Sequence, residues 1–429
     1  MGSMTNVVQF PPLPVSILGL SDVEIVTVEI DSQNHFIFKV QSTQSETLCR
    51  CCGRPTEPYG NGRTLLLRHL PILGRKTFIE ISPPRGRCLY CDNNPTTTQQ
   101  SDWYDRKSPH TKAYEKHILL SLINSTIVDV SKKEDLGYKA IEAIVDKYVQ
   151  TKVDWALIKK IGLLGIDEIT SKKGYRNYLT LLTSRIDDQI TILGVLQGRE
   201  KETVKAFLSS IPTKLYKTII AVCTDMYDGF INAAREVFGK KAHIIVDRFH
   251  VAKLYRKCLV SLRKKELTRL KKLLPENEYQ SLKKAIALLC HRKEYMTDEE
   301  KKIVEPLFNL SPLLKSAYQF CCELTGIYNS HIDKEAANKK ITSWINDVEK
   351  SNLVCFKKFI KTLKKYRIEI ENYFMNRDTS GFVEGINNKA KVMKRRCYGI
   401  FNLKHFFQRL FLDFSGYDVF GNHQQAHAL

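Results

Sequence analysis

The chain has 429 residues, 43% of them apolar, enough for true cores and more than one ordinary domain, so about two to four are expected. Its 67 Lys and Arg against 46 Asp and Glu leave a net +21, which favours a polyanionic partner, nucleic acid ahead of an acidic membrane surface. No run of ~18 apolar residues occurs, which excludes a transmembrane helix, and twelve cysteines without a visible export signal point to thiols or metal ligands instead of disulfides.

Met1-Gly2-Ser3-Met4 reads as an expression remnant ahead of the natural start. Glu24–Ile30 alternates polar and apolar, Asp31–Asn34 is a turn, and His35–Val40 completes a hairpin. Cys49-Arg50-Cys51-Cys52-Gly53 and Cys88-Leu89-Tyr90-Cys91 follow, separated by a β-rich segment in which Lys76–Ser82 reads as a strand. Two residues between paired thiolates let both reach one tetrahedral ion from a tight turn. Cys49, Cys52, Cys88 and Cys91 are therefore candidate ligands of one structural Zn2+ in a zinc-ribbon-like domain, residues 1–100. Cys51 offers a second register, and four buried structural thiols are the plainer alternative.

Residues 101–152 read as helices over Lys112–Asn124, Val130–Leu136 and Tyr138–Gln150, with Gly137 as the breaker. Ile141, Ile144, Val145 and Tyr148 form one apolar stripe. The layout suits a helix-turn-helix with Tyr138, Lys139 and Glu142 near the groove-facing end. It suits an ordinary three-helix bundle equally, and Glu142 and Asp146 weaken the DNA reading. The basic context favours DNA.

From 153 to 255 the pattern changes. Leu163-Leu164-Gly165-Ile166 ends in Asp167-Glu168. Tyr178–Thr183 and Ile190–Val195 read as two more strands about a turn at Asp187-Asp188-Gln189. Helix signals over Lys201–Ser210 and Tyr227–Phe238 flank Ile219–Thr224, which ends at Asp225, and Ile244-Ile245-Val246 ends at Asp247. Acids at three strand ends form a pattern, because the cleft of an open α/β sheet lies beyond its strand ends. Carboxylates gathered there repel one another unless a divalent metal neutralises them. A single such acid would be read as a helix cap. Two of them on the first and fourth strands of a β-β-β-α-β-α-β order point to a ribonuclease-H-like catalytic domain. His250 follows Asp247 in Asp247-Arg248-Phe249-His250.

Residues 256–374 are helical and lysine-rich, divided by Pro275, Pro306 and Pro312, with a capping-box start at Thr297-Asp298-Glu299-Glu300. They read as a helical insertion whose charge runs are solvated faces, with Trp344 in its core. Glu369 and Glu371 would pair with neighbouring bases on a helix surface. Asp378 would be a turn or cap residue. In the last part, residues 375–429, Ser380–Lys391 starts a helix. Glu384, Asn387, Asn388 and Lys391 share one face of it. Lys391, Lys394, Arg395 and Arg396 are placed to hold a nucleic-acid backbone. Phe401–Phe414 should pack against the sheet, and His423–Leu429 should be a disordered tail.

Asp167 with Glu168, Asp225, Asp247-Arg248-Phe249-His250 and the Ser380–Lys391 stretch together resemble the ISL3 family of bacterial insertion-sequence transposases, over nearly the whole chain. The Asp-x-x-His motif also resembles one seen in hAT-type transposases, where a helical insertion likewise interrupts the fold. The resemblance implies a multidomain α+β and α/β protein with Asp167, Asp225 and Glu384 as the DDE acids, holding two Mg2+ (or Mn2+) ions, and His250 nearby. It implies double-stranded DNA as partner, both terminal inverted repeats and target, a homodimer or larger assembly on DNA, no membrane, and a bacterial, nucleoid-associated cytoplasmic location. Two rivals stand beside it: a structure-specific nuclease or resolvase on the same fold, and a non-catalytic DNA-binding regulator.

Overall fold

The computed structural model describes residues 14–151, 153–156, 158–170, 178–186, 189–289, 296–379, 381–399 and 402–421. The readings of Met1–Met4, the turn at Asp187-Asp188, Ser380 and the tail from His423 fall outside them. The chain divides into two compact units, residues 1–150 with 408–429, and residues 151–407.

The first unit begins with strands β1 (Val23–Ile30), β2 (Phe36–Ser42), β3 (Glu57–Asn61), β4 (Leu65–Ile72), β5 (Arg75–Ile81), β6 (Pro84–Arg87) and β7 (Thr96–Thr98). They form a four-stranded sheet in the order β1-β2-β5-β4 and a three-stranded sheet in the order β3-β6-β7. The expected hairpin is β1 and β2, paired antiparallel, and the strand expected at Lys76–Ser82 is β5. Strand β3 is exposed along its whole length. It carries no apolar alternation, so periodicity had nothing to register.

Helices α1 (Lys112–Leu122), α2 (Ile127–Glu134) and α3 (Tyr138–Tyr148) follow. Thr111 and Thr126 cap the first two through backbone N–H groups of Tyr114 and Asp129. Asp135 closes α2 in the left-handed region at φ +45°, so α2 ends before Leu136. Ile118, Leu122, Val130, Ile141 and Val145 make the core. Arg68 on β4 donates to the Glu134 and Asp135 carbonyls and lies over the Tyr114 ring at 4.7 Å. The turn between α2 and α3 is thereby tied to the neighbouring sheet.

The second unit is built on strands β8 (Gly162–Thr170), β9 (Tyr178–Ile186), β10 (Gln189–Gln197), β11 (Ile219–Thr224) and β12 (His243–Val246), in the order β10-β9-β8-β11-β12. Strands β8, β9 and β10 run antiparallel, and β11 pairs parallel with both β8 and β12. Leu163, Leu164 and Ile166 of β8 are all buried, as expected of a strand covered on both faces. Helices α4 (Lys201–Ser209), α5 (Thr213–Tyr216) and α6 (Asp228–Phe238) connect these strands.

A helical block follows, its described residues lying in 248–289 and 296–376. It comprises α7 (Arg248–Leu273), α8 (Glu276–Ser281), α9 (Lys283–Leu288), α10 (Asp298–Leu310), α11 (Pro312–Asn329), α12 (Lys334–Lys350), α13 (Lys357–Lys365), α14 (Arg367–Glu371) and α15 (Tyr373–Asn376). Thr297 and Glu300 form the expected capping box, and Trp344 is buried, donating to the Phe320 carbonyl at 2.9 Å. Pro275 and Pro312 begin helices as expected. Pro306 does not divide two helices but sits inside α10. It lies on the exposed face, where water can satisfy the carbonyl left free by its missing N–H. Glu369 and Glu371 are not on a surface. Both are buried, Glu369 paired with Arg235, and Glu371 with Arg367 and the Asn338 amide. Arg367, one turn before Glu371, is the partner legible in the sequence, whereas Arg235 on α6 and the burial itself come from the packing of distant segments.

Helices α16 (Gly381–Arg396) and α17 (Leu403–Phe420) complete the chain. The expectation that Phe401–Phe414 packs against the sheet fails from Gln408 onward. Leu412 and Phe420 join the three-helix core of the first unit. Arg409 donates to the carbonyls of Leu122 and Ser125, the Asn124 N–H donates to Asp413, and Gln408 bonds Asp146 and the Val149 carbonyl. These contacts satisfy the free ends of α1 and α3, a task that hydrophobic pattern does not reveal.

Candidate active site

Beyond the ends of β11 and β12, and beside the last residues of the longer β8, lies a cleft of about 920 Å³, lined by Asp167, Glu168, Asp225, Asp247, His250, Glu384, Asn387 and Lys391 among others. Asp167 is in β8, Asp225 follows β11, and Asp247 follows β12. Parallel pairing of β11 with its two neighbours brings the three acids to one edge. Glu384, Asn387 and Lys391 are successive turns of one face of α16, which packs on β8. Asn387 bonds Asp167 through its side-chain amide. Asn388, expected on the same face, is exposed and outside the lining.

The three aspartates differ in what they already do. Asp247 caps α7, accepting from the Phe249 N–H at 3.0 Å. Asp167 accepts from the Glu168 N–H at 2.7 Å and from Asn387. Asp225 does not cap α6, which starts from Tyr227 without a side-chain cap, and its Oδ1 is buried with no hydrogen-bond partner. Burial pushes the Asp225 carboxyl up to about 7. The charge of His250 opposes the rise, and Asp167 and Glu168 add to it. Burial also raises Asp167, opposed by His250 and by its two hydrogen bonds. An orphaned buried carboxylate oxygen beside like charges is the environment that a divalent cation relieves, so Asp167 and Asp225 fit a hard metal ion. Glu384 is exposed at the cleft wall.

Glu168, named beside Asp167 in the sequence but given no role there, also lines the cleft. Arg199 holds it at 2.9 Å, and that guanidinium lies over the rings of Tyr178 at 4.0 Å and Tyr227 at 4.7 Å. Lys253, Arg256 and Lys257 of α7 also line the cleft. Their spacing of four, seven and eight residues from Phe249, on one helical face, is the signal the sequence offers. Lys394 and Arg396 are half-buried, and Arg395 is exposed.

In the first unit, the sulfur atoms of Cys49, Cys52, Cys88 and Cys91 all lie within 4.8 Å of one another, with Cys52 and Cys88 at 3.7 Å. Among the described residues this is the one set of three or more Cys, His, Asp or Glu gathered so closely. Gly53, at φ +72°, turns the first loop. Cys51 is exposed and lends only its N–H, to the Cys49 sulfur at 3.4 Å, which fixes the register left open by the sequence. Backbone N–H groups of Cys52 and Cys51 pull the Cys49 thiol down to about 6, favouring the thiolate that metal requires. The set can hold zinc. Elemental analysis is expected to find about one zinc per chain, and Cys88→Ser to lose it with the folded state of the β3-β6-β7 sheet. Metal-free protein with four intact thiols and an unchanged melting curve would refute this.

Tyr138 and Lys139 open α3, both exposed, and Lys139 pairs with Glu142 at 2.7 Å. Among the described residues no helix is long and apolar enough to cross a membrane.

Comparison with known proteins bears on both units. Residues 164–410 match the family model of ISL3 transposases carrying the DDE label, described as transposase. Residues 99–149 match the helix-turn-helix domain of transposase family ISL3. The chain is 25% identical over 382 residues to the transposase for insertion sequence element IS1001 of Bordetella parapertussis, covering 88% of this chain and 91% of that protein.

Proposed function

The chain belongs to the ISL3 family of transposases, and we propose that it binds the terminal inverted repeats of an insertion sequence, cuts at the element ends and joins the freed 3′-hydroxyls to target DNA. The observation that carries this reading is the cleft in which Asp167, Asp225 and Glu384 meet a basic wall. We read the second unit as a ribonuclease-H-like domain in two parts, 153–255 and 375–407, with 256–374 inserted. The sheet order β10-β9-β8-β11-β12 supports it. Residues 1–100 and 101–152 then serve as zinc and DNA-reading domains, joined by the tail from Gln408.

In this reading Asp167, Asp225 and Glu384 hold two Mg2+ or Mn2+ ions. When bound, these supply Lewis-acid activation of the attacking oxygen and stabilisation of the leaving oxygen. Asn387 fixes the Asp167 carboxylate through its amide. Arg199 pairs with Glu168, offsetting part of the negative charge that this further carboxylate brings beside Asp225. His250 faces Asp167 and Asp225 closely enough to act on both charges and stands beside the scissile phosphate. Lys391 holds a phosphate oxygen from α16, and Lys394, Arg395 and Arg396 continue the backbone grip. No protein nucleophile is needed. In cutting, water forms the new P–O bond and the 3′-oxygen leaves as a hydroxyl. In joining, that hydroxyl attacks a target phosphodiester. Synapsis of two ends calls for a dimer or larger assembly.

A labelled duplex carrying one element end, with Mg2+ and plasmid target, tests the reading: nicking without any joined product would favour the nuclease alternative. Two further results are expected. Tyr138→Ala with Lys139→Ala should cut the preference for element ends over unrelated duplex by about tenfold or more while unrelated DNA still binds. Affinity for either duplex should fall steeply with salt. A selectivity unchanged by the pair would remove α3 from end recognition.

A further inference from the structure

The cleft has a wall that the proposed metal chemistry does not use. Phe249, Lys253, Arg256, Lys257 and Val260 all line it. They are spaced i, i+4, i+7, i+8 and i+11 along α7, one face over about 16 Å. Phe249 is 56% exposed, two residues beyond the strand-end Asp247, so the aromatic ring stands where the acids end and the cations begin. Lys253, Arg256 and Lys257 are exposed, and none forms an ion pair with a described residue. From Arg248 to Lys265 the helix contains no acid. Its first acid, Glu266, is taken up by Arg269 and Ser311. Arg248 is spent inside the protein, on Tyr373 and Asn329, both at 3.0 Å, so the wall begins with Phe249.

An exposed aromatic followed by uncompensated cations is the arrangement that binds single-stranded nucleic acid, the ring stacking on a base and the cations following the backbone. A duplex offers its phosphates to cations but no base face to a ring. Resting on the reading of the cleft as the strand-cutting centre, we infer that α7 receives an unpaired strand leading away from the scissile phosphate. Phe249 stacks on the first unstacked base, and Lys253, Arg256 and Lys257 hold the phosphates that follow. Phe249 is a positioning residue: it touches the base beside the reacting phosphate and sets where that phosphate lies.

The test uses the full-length chain, Mg2+ and duplexes carrying one element end, each with a single abasic nucleotide placed in turn along both strands near the cut. Phe249→Ala should slow cutting of the intact duplex by about 5- to 100-fold. Phe249→Trp should stay near the unaltered rate, and Phe249→Leu, which keeps bulk without a π face, should resemble Ala. At one abasic position the unaltered protein and Phe249→Ala should cut alike, because no base remains to be stacked. Changing Lys253, Arg256 and Lys257 together to Ala should reduce the slope of log affinity against log salt by about 2, the value for three single-strand phosphate contacts. A Phe249→Ala deficit that persists at every abasic position, a Leu variant equal to Phe, or an unchanged salt slope would overturn the inference. Absence of Mg2+-dependent cutting by the unaltered chain would instead sink the reading of the cleft. Melting curves identify any variant that fails to fold, and Trp and Leu then carry the comparison.

Discussion

Glu384→Gln is expected to abolish both cutting and joining, by about a thousandfold or more, which is several kcal/mol of lost transition-state stabilisation. Folding and end binding should stay nearly unchanged. The substitution keeps the shape of the side chain and removes the charge that the metals need. Glu384 is exposed at the cleft wall, and among the described residues no cation pairs with it, so none is stranded by its loss. It stands one turn before Asn387, whose amide holds Asp167, and two turns before Lys391, which lines the same cleft. The control is Glu371→Gln. Glu371 is buried, accepting from Asn338 at 2.6 Å and from Arg367. Its neutralisation leaves the half-buried Arg367 poorly matched and should cost about 1–3 kcal/mol of stability without touching the rate per folded molecule. Rates in Mg2+ and melting curves for the two variants separate chemistry from stability. A Glu384→Gln protein that still cuts at near the unaltered rate would leave the site without its third acid.

The parts of the site that the sequence shows clearly are those where one residue type sits at a forced position. Asp167, Asp225 and Asp247 end apolar runs, and parallel pairing of such runs must gather their ends. The two Cys-x-x-Cys pairs are legible because the spacing itself is the chemistry, although Cys51 required the structure to exclude it. What was illegible depends on contacts between distant segments. Strands β3, β6 and β7 are short and polar, so no periodicity marks them. Glu369 and Glu371 look like surface acids until α12 and α6 supply Asn338 and Arg235. The tail from Gln408 looks like sheet-packing sequence, yet its polar side chains, Gln408, Arg409 and Asp413, are the ones that find the ends of α1 and α3. On α7 the spacing from Phe249 marks one face, but only the cleft distinguishes Lys253 and Arg256 from the other exposed bases.

Asp225→Asn should make the metal-free protein more stable while it eliminates cutting. Removing a designed interaction ordinarily costs stability, so a gain marks a charge that the fold alone does not satisfy. Asp225 Oδ1 is buried without a partner, and Asp167 and Glu168 add negative charge beside it. Its carboxyl is raised to about 7, above the ordinary unfolded value near 3.9. The folded state therefore binds the proton more tightly than the unfolded chain. This group's destabilising effect sets in as pH rises from about 4 and is complete above about 7. In chelator at pH 8 the Asn variant should melt higher, by on the order of 2 kcal/mol once partial solvation is allowed for. Near pH 4 the gap should close. Mg2+ should then raise the melting temperature of the unaltered protein, since a ligand that binds only the folded state stabilises it, and should do far less for Asp225→Asn. An Asn variant that melts lower than the unaltered protein in chelator would mean that protein groups already satisfy the carboxylate, and Asp225 would lose its place as a metal ligand.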